Sequence, residues 1–139
     1  MKGAGGSHEF LEHVSELRLR VRAPTLDGLL SEAGKALGEL LLRGEHATAP
    51  GPPREVVVSS SDREALLVDW LNELLYLAET ERWAPVHFEP IHVSDREVRA
   101  RVRGVPIRET PSLVKAATHH RLRIEHENGD LQAEVILDV

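Results

Sequence analysis

The stretch Leu131-Gln132-Ala133-Glu134-Val135-Ile136-Leu137-Asp138-Val139 places Leu131, Ala133, Val135, Leu137 and Val139 on one face of an extended chain. Gln132, Glu134, Ile136 and Asp138 fall on the other. Successive side chains of a strand point to opposite faces, so this alternation predicts a strand laid on a core, with an aspartate at its end. That carboxylate, one residue from the final carboxylate, either meets water or helps to hold a hard cation.

Working outward, Leu17-Arg18-Leu19-Arg20-Val21-Arg22 alternates apolar and basic residues in the same way, and Ala23-Pro24 ends it. Parity puts Glu16 on the face of Arg18, Arg20 and Arg22. If the first and last of these strands are neighbours, Glu16 and Asp138 meet at one sheet edge. Oxygen donors of this kind suit calcium, magnesium or manganese rather than zinc.

Between the two strands the period changes. Leu26, Leu29, Leu30, Ala33, Leu37, Leu40 and Leu41 recur at three and four residues and predict one apolar stripe on a helix, N-capped by Thr25. Gly44 to Pro53, with Pro50, Pro52 and Pro53, reads as an exposed loop. Arg54 to Ser60, around Val56-Val57-Val58, reads as a strand. Ser61 and Glu64 have the spacing of a capping box and predict the start of a second helix. Leu66, Leu67, Trp70, Leu71, Leu74, Leu75 and Leu77 cover so much of that helix that it should be central. Trp83-Ala84-Pro85 should end it. Strands are expected at 86–93, 97–103, 121–127 and 131–139, with Asn128-Gly129 as a hairpin turn. Hairpin-joined strands with two helices imply an α+β fold, a mostly antiparallel sheet with two helices packed on one face.

The chain has 139 residues, enough for one domain, expected over 8–139 after a flexible glycine-rich segment at 1–7. Its 17 basic and 23 acidic residues give a net charge of -6, which argues against bulk attraction to DNA, RNA or an anionic membrane. The absence of cysteine excludes disulfides, thiolate metal sites and cysteine nucleophiles. With no signal peptide or membrane span in the pattern, the expected location is the cytoplasm.

Few residues offer chemistry of their own. Asp69 and Glu73 stand four apart on the central helix beside Asn72, as a polar stripe or a partner contact. His119 and His120, if they lie in a strand, point to opposite faces and do not chelate together; His120 shares the parity of Leu122 and Ile124 and is expected either to be partly buried with a hydrogen-bond partner or to build a polar pocket with Lys115 and Thr118. Arg99, Arg101 and Arg103 share a face and most simply pair with glutamates across the sheet. There is no phosphate loop, nucleophile elbow or metalloprotease histidine pair, so an independent enzyme is hard to build.

The motifs in order are His8-Glu9-Phe10-Leu11-Glu12-His13-Val14-Ser15-Glu16, Leu66-Leu67-Val68-Asp69-Trp70-Leu71-Asn72-Glu73-Leu74-Leu75-Tyr76-Leu77, Val114-Lys115-Ala116-Ala117-Thr118-His119-His120 and Val135-Ile136-Leu137-Asp138-Val139. From residue 8 onward the chain resembles an archease. The resemblance implies a non-catalytic accessory factor of an RtcB-type RNA ligase, promoting guanylylation and multiple turnover in tRNA splicing or RNA repair. RNA would be contacted indirectly, through the ligase, with no part for DNA or membrane. The resemblance also implies a divalent metal, calcium first and manganese or magnesium next, held by Glu16, Asp138 and Val139. Lys115 and His120 match the family motif and, with Asp69 and Glu73, make the expected partner surface. Two positions depart: Glu16 stands where the family has aspartate, one methylene longer, and His119 where it often has tyrosine. The alternative role is a chaperone or specificity modulator of RNA-modifying enzymes such as a tRNA methyltransferase.

Overall fold

The computed structural model describes residues 5–13, 16–43, 49–107 and 114–139. In chain order its elements are β1 (Ser7–His13), β2 (Glu16–Ala23), α1 (Leu26–Leu42), β3 (Arg54–Ser59), α2 (Arg63–Glu81), β4 (Trp83–Val93), β5 (Glu97–Pro106), β6 (Ala116–Thr118), β7 (Ile124–Glu127) and β8 (Asp130–Asp138). The class is the expected α+β, and every strand pairing is antiparallel. The strands divide between two sheets. One has the order β1-β2-β8-β6 with β7 also paired to β8, and the other is β3-β5-β4. Each helix packs against strands of both sheets, so the helices share one core with them rather than covering a single sheet face.

Parity read from the sequence holds in β2 and β8. Leu19, Val21 and Ala23 of β2, and Leu131, Ala133, Val135 and Leu137 of β8, are buried. The charged residues between them face outward, where Arg18 and Arg20 share Glu134, and Arg20 also reaches Glu9. On the second sheet Arg99 pairs with Glu55 and Arg101 with Glu89 across strands as expected, whereas Arg103 donates instead to the Gly51 carbonyl at 3.2 Å.

Thr25 caps α1 by accepting a hydrogen bond from the Gly28 amide at 3.1 Å. Gly34 and Gly38, one turn apart, bring α1 against β4. A Cβ on Gly38 would lie 2.0 Å from the Pro85 carbonyl oxygen, and one on Gly34 would lie 2.5 Å from the Phe88 ring. Trp70 of α2, fully enclosed, donates its indole N–H to the Leu30 carbonyl at 2.8 Å and ties the helices together.

Several expectations are corrected. The cap of α2 is Asp62, which accepts from the Ala65 amide at 2.8 Å, and Glu64 instead accepts from the Ile124 amide at 3.1 Å. The proposed reciprocal pair Ser61/Glu64 therefore does not form, because a tertiary donor takes the Glu64 carboxylate. Pro85 does not stop the chain ahead of a strand but lies within β4, an edge strand whose register shifts at Pro85/His87 and Pro90/His92. Prolines are accommodated there because edge positions and bulges leave amides that need no ladder partner. β1 was not foreseen, and it begins at Ser7, inside the segment expected to be flexible. Residues 1–4 of that segment, and 44–48 of the expected loop, lie outside the described residues.

Candidate functional site

Glu16 opens β2 and Asp138 closes β8, and the two are direct cross-strand partners. The Asp138 carbonyl accepts the Lys115 amide at 2.8 Å from the β6 side. Backbone groups of one strand residue point to the same side, so those of Asp138 turn away from β2, which makes Glu16/Asp138 a narrow, non-hydrogen-bonded pair. In such a pair the Cα atoms stand about 4.5 Å apart and the side chains lie closest. Both carboxylates project from the outer face of the sheet, Glu16 half-buried and Asp138 exposed.

Val139 follows directly but lies outside β8 and is 42% exposed, so it does not continue the buried face as the alternation suggested. Lys115 is exposed and adjoins Asp138 through its amide, just ahead of the Ala116/Asp138 pairing. Glu16, Asp138, Val139 and Lys115 thus gather at one end of the five-stranded sheet. Among the described residues no cluster of three or more His, Cys, Asp or Glu side chains is placed to hold a metal ion. Val139, next to Asp138 in the chain, brings further oxygen atoms to this end.

His120 is not where parity put it. The strand expected over 121–127 starts only at Ile124; His120 and Arg121 form a turn, with Arg121 at φ 54°, and Leu122 donates its amide to the His119 carbonyl at 3.1 Å. Both histidines are exposed, so the expected burial of His120 is overturned. The period-2 argument fails there because it holds only while the backbone stays extended.

The α2 polar stripe has structural work as well. Asp69 accepts the Ser60 hydroxyl at 2.5 Å, bracing the turn from β3 into the helix. Asn72 bonds the edge of β6 in both directions: its amide donates to the Ala117 carbonyl at 3.1 Å, and its oxygen accepts the Ala117 amide at 2.8 Å. This fastens the segment carrying Lys115 to the core. Glu73, half-buried, lies beside Val57, Ser59 and Tyr76 in a shallow groove. The structure therefore separates the anticipated partner residues into two places, Lys115 at the carboxylate end and Asp69 with Glu73 along α2 and β3.

A further polar cluster escaped the sequence reading. His8 of β1 is bonded through Nδ1 to Glu32 and through Nε2 to Glu39, the latter at 2.5 Å. Burial of the ring lowers its pKa, but the hydrogen bonds and charges of Glu32 and Glu39 together outweigh this and hold it above the ordinary histidine value. A neutral imidazole has only one N–H, so bonding two carboxylates calls for the protonated ring. The signal available in the sequence was Glu32, a carboxylate on the apolar side of α1, buried in the structure.

Comparison with known proteins now adds to this geometry. The model of the archease protein family (MTH1598/TM1083) matches residues 8–139. The archease of Methanopyrus kandleri is 33% identical over 138 residues, covering 94% of this chain and 98% of that protein. The archease of Methanosarcina mazei is 27% identical over 147 residues and covers the whole of both. Among solved structures, protein 1598 of Methanobacterium thermoautotrophicum superposes with a TM-score of 0.77 at 28% identity, covering 95% of this chain and 98% of that one. An archease of Thermotoga maritima, described there as a possible chaperone, gives a TM-score of 0.64 at 22% identity, covering 93% of this chain and 94% of that one, and shares the fold. The match of the family model over residues 8–139 and the 33% identity agree with the motifs and topology above: this chain belongs to the archease family.

Proposed function

We propose that this protein is a non-catalytic accessory factor of an RtcB-type RNA ligase, promoting guanylylation and turnover of the ligase through a cation held by Glu16 and Asp138. The observation that carries the reading is the direct cross-strand pairing of these two acidic residues at one end of the sheet. Acids on two cross-strand neighbours can each give oxygen to one divalent cation. The donors are all oxygen, which favours calcium, with magnesium or manganese as competitors. Glu16, with one methylene more than the family's aspartate, has the reach to bind through both oxygens. An oxygen of Val139 would complete the protein ligands, leaving the outward side open to a group from the ligase. Lys115, fixed beside Asp138, would contact the same partner. Nucleotide transfer itself stays with the ligase.

The test is guanylylation of the cognate ligase alone, with this protein, and with its Asp138→Ala variant. The expected result is stimulation by the wild type that the variant loses. Equal rates in all three conditions would remove the proposal. A metal-independent complex with a tRNA methyltransferase, recovered without the ligase, would point to the chaperone role instead.

A further inference from the structure

β3 is the outer strand of the three-stranded sheet, and α2 runs back alongside it after the turn braced by Ser60 and Asp69. The Ser60 amide bonds the Arg96 carbonyl at 2.8 Å, continuing the register in which Val58 faces Val98 and Val56 faces Ala100. Bonded pairs alternate in an antiparallel ladder, so the even-numbered residues turn their backbone groups to β5. Glu55, Val57 and Ser59 therefore aim theirs out of the sheet edge, where no other strand is paired among the described residues. That edge opens into the groove lined by Val57, Ser59, Asp69, Asn72, Glu73 and Tyr76. Val57 is 46% and Tyr76 59% exposed, two large apolar side chains on its rim. The charged residues lining it are both acidic, in a chain of net charge -6.

We infer that this groove binds an extended peptide segment of a protein partner, apolar and basic residues alternating, added as a fourth strand to β3. Each feature supplies one part of the recognition. The unpaired amides and carbonyls of Glu55, Val57 and Ser59 provide a ladder, as in other cases of strand addition. Val57 and Tyr76 provide apolar contact, and Glu73 provides the counter-charge for a lysine or arginine. Free strand edges are ordinarily protected by charge, proline or a bulge, yet at the centre of this edge stands an uncharged, half-exposed valine. Val57 and Glu73 are not among the residues gathered at the Glu16/Asp138 end, so substitutions at these two positions test peptide binding apart from cation binding.

The probe is a fluorescein-labelled peptide, Thr-Val-Lys-Val-Arg-Val-Thr, titrated with the full chain and followed by anisotropy, with amide chemical shifts read in parallel. Saturable binding is expected, with shifts centred on Glu55, Val57 and Ser59. Glu73→Lys should weaken it about tenfold, as should added salt. Val57→Pro removes an outward amide without cutting a bond to β5, and should weaken it to a similar extent. Three results would overturn the inference: no saturable binding; equal binding of a peptide with glutamate in place of lysine and arginine; or unchanged affinity in both variants. Sedimentation showing a dimer abolished by Val57→Pro would also overturn it, because the edge would then belong to a second copy of the chain.

Discussion

Replacing Asn72 with alanine tests whether the core of α2 holds the candidate site together. The Asn72 amide satisfies both backbone groups of Ala117, a residue only 5% exposed. After Asn72→Ala the N–H and C=O would remain buried without partners, each costing about 1–3 kcal/mol. Partial entry of water reduces the sum, and roughly 2–4 kcal/mol of destabilisation is the working figure. For a domain of this size that lowers the melting temperature by roughly 10 °C. The loss should be uneven, because β6 is short and is held on its other side by β8. Amide exchange at Ala117 and its neighbours should accelerate well beyond that of the β2/β8 ladder, since local opening of a weakly held segment precedes global unfolding. Thermal melts and exchange mass spectrometry or NMR measure both effects. A melt within about 0.5 kcal/mol of wild type, with Ala117 still protected, would refute the claim that this side chain fastens β6.

Two further outcomes concern stability. The raised pKa of His8 means the folded protein holds its proton more tightly than the unfolded chain, so this contribution is complete below the ordinary value of 6.5 and fades as pH rises through the folded value. The difference in unfolding free energy between wild type and His8→Asn should accordingly be about 1–2 kcal/mol in mild acid and shrink in alkali, with the 60% exposed Glu39 side adding little; a difference flat with pH would contradict the cluster. Gly38→Ala places a Cβ 2.0 Å from the Pro85 oxygen, so despite a gain of about 1 kcal/mol in helix propensity it should destabilise by roughly 1–3 kcal/mol in urea titrations, and a stabilised variant would show that α1 and β4 can separate.

Local signals were legible wherever one residue's neighbours in the chain decide its environment. Thr25 caps α1 through the Gly28 amide three residues on, and the alternation of Leu17 to Arg22 and of Leu131 to Asp138 follows from strand geometry over a single core. The outward faces of Glu16 and Asp138 could thus be derived from parity alone. Where a distant group competes, the same reasoning failed: Glu64 serves the Ile124 amide instead of its own cap, and β4 carries two prolines because its place at a sheet edge tolerates them. His120 turns out to solvent because the backbone leaves the extended region at Arg121, a change that the parity of Leu122 and Ile124 does not register.

From the amino acids alone came the secondary-structure periods, the α+β class, the motifs of the family and the chemistry of the two acids. Only the tertiary structure decided that β2 lies beside β8 in a register that sets Glu16 against Asp138, that the strands form two sheets, that Asn72 closes the edge of β6, and that His8 meets Glu32 and Glu39. The physical reason is one of range: propensity and periodicity act over a few residues, whereas strand partners and buried polar bonds join residues far apart in the chain, and are selected by how the whole core packs.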